Sequence, residues 1–120
     1  MTRNRQSAKK AGTSFERLVA DYLRDTVDDR IDRRVKTGAL DKGDIANVRT
    51  AWNDRIVLEC KSTTRMSIGT WLNEAEVERI NDDAHISAVV HKRHGKAQPA
   101  DQLVTMTLEN FAKLLDGKTA

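Results

Sequence analysis

The run Arg55-Ile56-Val57-Leu58-Glu59-Cys60-Lys61 constrains the fold more than any other segment of this chain. Its aliphatic stretch predicts a buried β-strand over 56–61. Side chains alternate along a strand, so Glu59 and Lys61 point one way and Cys60 the other. Packing alone does not explain a carboxylate and an ammonium sharing one face at the end of a buried strand. A plain surface ion pair contributes only about 0–1 kcal/mol and has no reason to sit at that position.

The rest of the chain supplies partners for such a strand. Phe15, Leu18, Val19, Tyr22 and Leu23 recur at helical spacing and predict an amphipathic first helix, with Thr13 as its N-cap. Residues 31–36 alternate partially, as a strand with a basic exposed face. Residues 37–43 carry two glycines and read as a loop; 44–48 read as a short strand, and Trp52-Asn53-Asp54 as a turn. After a Ser/Thr-rich connector at 62–69, a helix is predicted over 71–83, although Leu72, Ala75, Val77 and Ile80 form no single stripe. Strands over 86–90 and 103–107 flank a turn at 95–99. Leu108, Phe111, Ala112 and Leu115 predict a terminal amphipathic helix stopped by Gly117. The order α-β-β-β-α-β-β-α implies an α/β fold, a mixed central sheet with helices on its faces. Residues 1–11 are polar and basic without periodicity and read as a flexible arm, leaving 12–120 as one domain.

Charge is segregated. The formal net charge is only +3, from 21 Lys and Arg against 18 Asp and Glu. Basic residues nevertheless gather at Arg3, Arg5, Lys9 and Lys10, at Arg33, Arg34 and Lys36, and at Lys92, Arg93 and Lys96, whereas acids gather around 25–32 and 74–83. That distribution favours a nucleic-acid face. A single cysteine excludes an internal disulfide and fits a reducing compartment. No apolar run reaches membrane-spanning length and no signal peptide is evident, so an intracellular, cytoplasmic protein is expected.

Asp44, Glu59 and the carbonyl of Cys60 make an all-oxygen set suited to a hard divalent cation such as Mg²⁺. Lys61 stands beside it, placed to orient a water or steady developing negative charge. This is chemistry suited to phosphodiester cleavage. Glu16 has two readings: a further acid leaning toward the site, or the last member of a capping box begun by Thr13. His85, His91 and His94 do not make a zinc site, having no cysteine cluster to help. His91-Lys92-Arg93-His94 reads instead as a basic rim, Cys60 as a core-facing thiol, and Trp52 and Trp71 as packing residues.

Asp44…Glu59-x-Lys61, with Glu16 upstream, resembles the PD-(D/E)xK nuclease motif, and its order and spacing over roughly residues 12–116 are similar to small Holliday junction resolvases of archaea and their viruses and to related phage nucleases. Gly43 stands where the motif usually has proline. The resemblance implies a restriction-endonuclease-like fold and Mg²⁺, with Mn²⁺ substituting, held by Asp44, Glu59, the Cys60 carbonyl and Glu16. It implies catalysis by Glu16, Asp44, Glu59 and Lys61, and a basic residue of the 31–36 strand near the site, Arg34 ahead of Arg33. Arg33, Arg34, Lys36, Lys42, Ser62, Arg65, Lys92 and Arg93 would contact DNA, with Thr37 and Gly38 in a loop that could reach into a junction and Thr63 and Thr64 beside Ser62. A junction resolvase would work as a homodimer, with the terminal helix or the 86–90 strand as its surface. The alternatives are a structure-selective or nicking nuclease without junction specificity, and a catalytically silent nucleic-acid-binding protein.

Overall fold

The computed structural model describes residues 4–36, 38 and 40–117; Thr37 lies outside them. Along the chain run α1 (Arg5–Thr26), β1 (Asp32–Arg33), β2 (Ile45–Ala46), β3 (Ile56–Lys61), α2 (Ile68–Asn81), β4 (Ile86–His91), a 3₁₀ turn (Pro99–Asp101), β5 (Leu103–Thr105) and α3 (Leu108–Asp116). The predicted order of helices and strands stands, and the expected α/β class with it.

The central sheet is mixed and three-stranded, in the order β3-β4-β5. β3 and β4 are parallel, Glu59 opposite Val89 and Lys61 opposite His91, and α2 is the crossover between them. β5 closes the far edge antiparallel to β4. β1 and β2 form a separate antiparallel ribbon. Backbone bonds from Asp44 N–H to Leu58 C=O (3.0 Å) and from Ile56 N–H to Val48 C=O (2.9 Å) tie it to β3.

The strand period sorts the core into two layers. Leu58, Ala88 and Val90 face α1, where Phe15, Val19 and Ala20 meet them together with Ile31 and Ile45. Val89 faces α2 and packs on Trp71 and Ala75. Burial of all six β4 residues accounts for its mostly apolar sequence and removes the 86–90 strand as a dimer surface, since it is paired on both edges.

Several boundaries move, for local reasons. α1 begins at Arg5, so residues 5–11 belong to this helix and not to a flexible arm. Its cap is Asn4, whose side chain accepts the N–H of Ser7 at 2.8 Å; Thr13 lies mid-helix, its hydroxyl donating back to the Lys9 carbonyl. β1 shrinks from 31–36 to two residues. α2 starts at Ile68 and ends at Asn81. β5 stops at Thr105 because Thr107 caps α3, accepting the N–H of Asn110 at 3.2 Å. α3 ends at Gly117 in a left-handed conformation (φ 64°), its Cα face lying against the Trp52 indole. Trp71 is buried, but Trp52 is 59% exposed and lies against Gly117.

Candidate active site

Asp44 is placed by backbone on both sides. Its N–H donates to Leu58 of β3 and its C=O accepts Arg34 N–H at 2.8 Å. Gly43, at φ 96°, turns the chain into this position. The Asp44 carboxylate is buried; Oδ2 accepts the Cys60 N–H at 2.7 Å and Oδ1 the Lys36 ammonium at 2.8 Å. A strand residue directs its N–H and C=O to the same edge, so the Cys60 carbonyl faces this side too.

Glu59, also buried, brings its carboxyl within hydrogen-bonding reach of Asp44. Burial, reinforced by the Asp44 charge, raises the Glu59 pKa far above the usual carboxylate range. Burial opposes ionisation of Asp44 as well, but the Glu59 proton, the Lys36 ammonium and the Cys60 N–H outweigh it and hold Asp44 below its ordinary value. Two acids packed this closely, with Glu78 beside them, disfavour full ionisation of the cluster. On the same face, Lys61 Nζ lies 3.8 Å from Glu59 Oε2 and bonds Glu74 of α2 at 2.7 Å. Burial works against the Lys61 charge, yet Glu74 and Glu59 keep its pKa raised. Cys60 points to the α1 layer, and burial among the surrounding acids pushes its thiol up, leaving it an unreactive packing group.

Glu16 approaches from α1. It closes no capping box; Oε1 accepts Arg33 Nη2 at 3.2 Å and Nε at 3.3 Å. Burial and the Asp44 charge raise its pKa against the pull of Arg33. Here the preferred basic residue changes. Arg33 faces Glu16, whereas Arg34 points to the other side, toward Asp82 at 3.5 Å. Consecutive residues of extended chain point to opposite sides, so the two arginines, at the end of β1 and just after it, do not share the site.

Asp41, Glu74 and Glu78 were not singled out from the sequence. Carboxylate oxygens of Asp41, Glu59 and Glu78 lie within 4.8 Å of one another. A signal for Glu78 did exist: Trp71, Ala75, Glu78 and Asp82 fall at one helical spacing and all are buried, so the inward stripe of α2 is partly acidic. Lys36, expected on phosphate, lies on Asp44.

The remaining basic candidates surround this end of the sheet without entering the acid cluster. Lys92 N–H donates to the Lys61 carbonyl at 3.1 Å, so 92 and 93 leave the sheet where Lys61 does. Lys92 Nζ folds back onto the Lys96 carbonyl, Arg93 is exposed, and Ser62 lines a surface depression with Ala8, Gly12 and Thr63. Lys42, Gly38 and Arg65 are exposed. His91 is not part of a rim. It is 2% exposed, its ring is tilted against Trp71 at 5.5 Å, and Nε2 meets the Thr105 hydroxyl at 2.7 Å. No helix among the described residues is long and apolar enough to cross a membrane. No protein-family model matches this chain, and neither a curated protein nor a solved structure gives a match.

Proposed function

We propose that this chain is a metal-dependent endonuclease of the PD-(D/E)xK kind, with a restriction-endonuclease-like arrangement of its sheet and helices. One observation carries the reading. Asp44, the Glu59 carboxyl, the Cys60 backbone and the Lys61 ammonium converge at the open end of β3, in the motif's order. The donor set fits a hard cation: it is all oxygen, and its two buried carboxyls lack enough positive charge to ionise together. Mg²⁺ or Mn²⁺ held by Asp44, Glu59 and the Cys60 carbonyl would acidify an attacking water and offset charge on the scissile phosphate.

The protein's own groups do the positioning. Glu74 and Glu59 together keep the Lys61 ammonium charged and aimed along the strand face, where it can donate to the attacking water or to the developing phosphorane oxygen. Arg33 fixes Glu16 beside the site. Lys42, Arg65, Lys92 and Arg93 would take the phosphate backbone, contacts that set affinity without reading sequence, while Arg33 and Lys36 are held on Glu16 and Asp44. Arg34, occupied with Asp82, is a weaker candidate.

Among DNA substrates the four-way junction is favoured. The basic residues around the site offer contacts to phosphate, which follow the shape of the backbone and read no base sequence. Paired symmetric nicks then call for a two-fold homodimer. The test compares Mg²⁺-dependent cleavage of a labelled immobile junction and its matching linear duplex, with Lys61→Ala alongside to exclude contaminating nuclease. Paired nicks on the junction alone, lost in the variant, are expected. Equal cleavage of both substrates would retain the nuclease and remove the junction. Binding without cleavage in Mg²⁺ or Mn²⁺ would leave a nucleic-acid-binding protein.

A further inference from the structure

Glu78 presents an electrostatic problem that the catalytic set does not resolve. It sits on the inward stripe of α2 with only 2% of its surface exposed, and no N–H or hydroxyl among the described residues donates to either carboxylate oxygen, which only other carboxyls approach. An unpartnered buried carboxylate is among the costlier groups a fold can carry. The groups facing it are themselves acids, Glu59 and Asp41, each offering an oxygen within 4.8 Å of the other two. Nor is the loop bearing Asp41 there by accident of a long side chain. The Asp41 carbonyl accepts Asn81 Nδ2 at 2.8 Å, one turn beyond Glu78 on the same helix. Asp41 Oδ1 in turn accepts the Gly43 N–H at 2.9 Å. Loop and helix are latched so that three carboxylates converge.

We propose that Asp41, Glu59 and Glu78 form a divalent-cation site of their own on the α2 side of Glu59. It goes beyond the nuclease reading, with which it shares only Glu59. The donors are all carboxylate oxygens, which selects hard ions of the Mg²⁺, Mn²⁺ and Ca²⁺ class over thiolate- or imidazole-seeking metals. A 4.8 Å spread is one that two bonds of about 2.3–2.6 Å, as Ca²⁺ makes to oxygen, can bridge. Nearby cations leave room for the ion. Lys36 lies 3.8 Å from Asp41 but is committed to Asp44, and Lys61 lies 3.8 Å from Glu59 but is committed to Glu74. Neither has a salt bridge to Glu78.

The experiment titrates the full chain with Mn²⁺ in the absence of DNA, following the free ion by electron paramagnetic resonance. Glu78→Gln, Asp41→Asn and Asp44→Asn run alongside. Glu78→Gln is expected to weaken binding by at least the roughly 10–100-fold that losing even an outer-shell partner costs. Asp41→Asn weakens it too, while Asp44→Asn still binds an ion, because the three proposed ligands remain. Wild-type affinity in both Glu78→Gln and Asp41→Asn would overturn the site, as would no binding by the wild type at millimolar Mn²⁺. Far-ultraviolet circular dichroism in chelator checks the fold; should Glu78→Gln not fold, Asp41→Asn, on an exposed loop, decides the matter. Binding through Glu78 in a chain that never cleaves DNA would keep this site and end the nuclease reading. Cleavage together with Mn²⁺ binding indifferent to Glu78 and Asp41 would do the reverse.

Discussion

Lys36 Nζ stands 2.8 Å from Asp44 Oδ1, so a side chain from the loop supplies positive charge to the acid that the proposed metal would use. The pair is asymmetric, Asp44 being buried and Lys36 55% exposed. Removing the ammonium leaves a buried carboxylate with its Cys60 N–H but without its cation. Such a loss costs about 1–3 kcal/mol, and solvent screening of the exposed lysine places it at the lower end. Lys36→Ala is therefore expected to lower the urea midpoint in chelator by an amount equivalent to about 1 kcal/mol. Millimolar Mg²⁺ should restore more stability to the variant than it adds to the wild type. Equal stability of both proteins in chelator would mean that Asp44 is satisfied without Lys36.

Gly43 occupies the place where the resembled motif carries proline, and the backbone gives the reason. Its φ is 96°, a region closed to proline, and its N–H is used by Asp41. A Cβ there would fall 2.9 Å from Val57 Cγ1 and 3.3 Å from the Leu58 carbonyl. Gly43→Ala should destabilise by about 1–3 kcal/mol through strain at positive φ. Gly43→Pro should cost more, since it loses the hydrogen bond as well. Both should depress the proposed cleavage beyond what stability explains, because Asp44 follows directly. Thermal melting that ranks proline at or above alanine would refute this account.

Sequence legibility followed periodicity. Segment 56–61 and the buried strand starting at Ile86 were readable because an apolar run bounded by turn residues has few other solutions. Asp44, Glu59 and Lys61 could be picked out because charges at the end of such a strand stand out. Glu78 and Glu74 stand out less, since they lie on a helix whose inward stripe mixes tryptophan and alanine with acids, so an apolar count misses that face and only the helical spacing through Trp71 and Ala75 leads to Glu78. The choice between Arg33 and Arg34 turned on the register of a two-residue strand, where a shift of one exchanges the faces. His91 read as surface because it adjoins Lys92 and Arg93; only the parallel pairing with Lys61 shows it ending a fully buried strand against Trp71.

The acid cluster also sets a pH dependence. Burial, with the nearby acids Asp41 and Asp44 adding to it, pushes Glu78 up to about 8, while Glu59 is raised further by burial and Asp44. In the unfolded chain both return to the ordinary 4.5. A raised folded pKa contributes stability that is fully present below the unfolded value and is lost as pH rises through the folded one. In chelator the wild-type melting temperature should thus carry a falling component from about pH 5 to about pH 8 that Glu78→Gln lacks. His91 works oppositely. Desolvation lowers its pKa below the ordinary 6.5, so its contribution is lost as pH falls through that region. The difference between wild type and Glu78→Gln cancels the histidine and reports Glu78 together with its effect on Glu59. Parallel curves for the two proteins would show that Glu78 holds no such proton.

α3 turns an apolar side outward. Its one buried residue is Asn110, whose Oδ1 accepts the Ser87 N–H at 3.3 Å, while Leu108, Phe111 and Leu115 are exposed. These three fall at i, i+3 and i+7 and so lie on one side of the helix. Val104, on the edge strand β5, is exposed as well. Of the two surfaces considered for a homodimer, only this one remains, because the 86–90 strand is covered. The chain is expected to sediment as a dimer at micromolar concentration. Leu108→Glu combined with Leu115→Glu should yield a folded monomer, since neither side chain contributes to the buried core. If the proposed junction cleavage holds, that monomer should still nick single strands but lose the pairing of the nicks. Should the wild type sediment as a monomer, or the double variant remain dimeric, the exposed side of α3 is not the dimer surface.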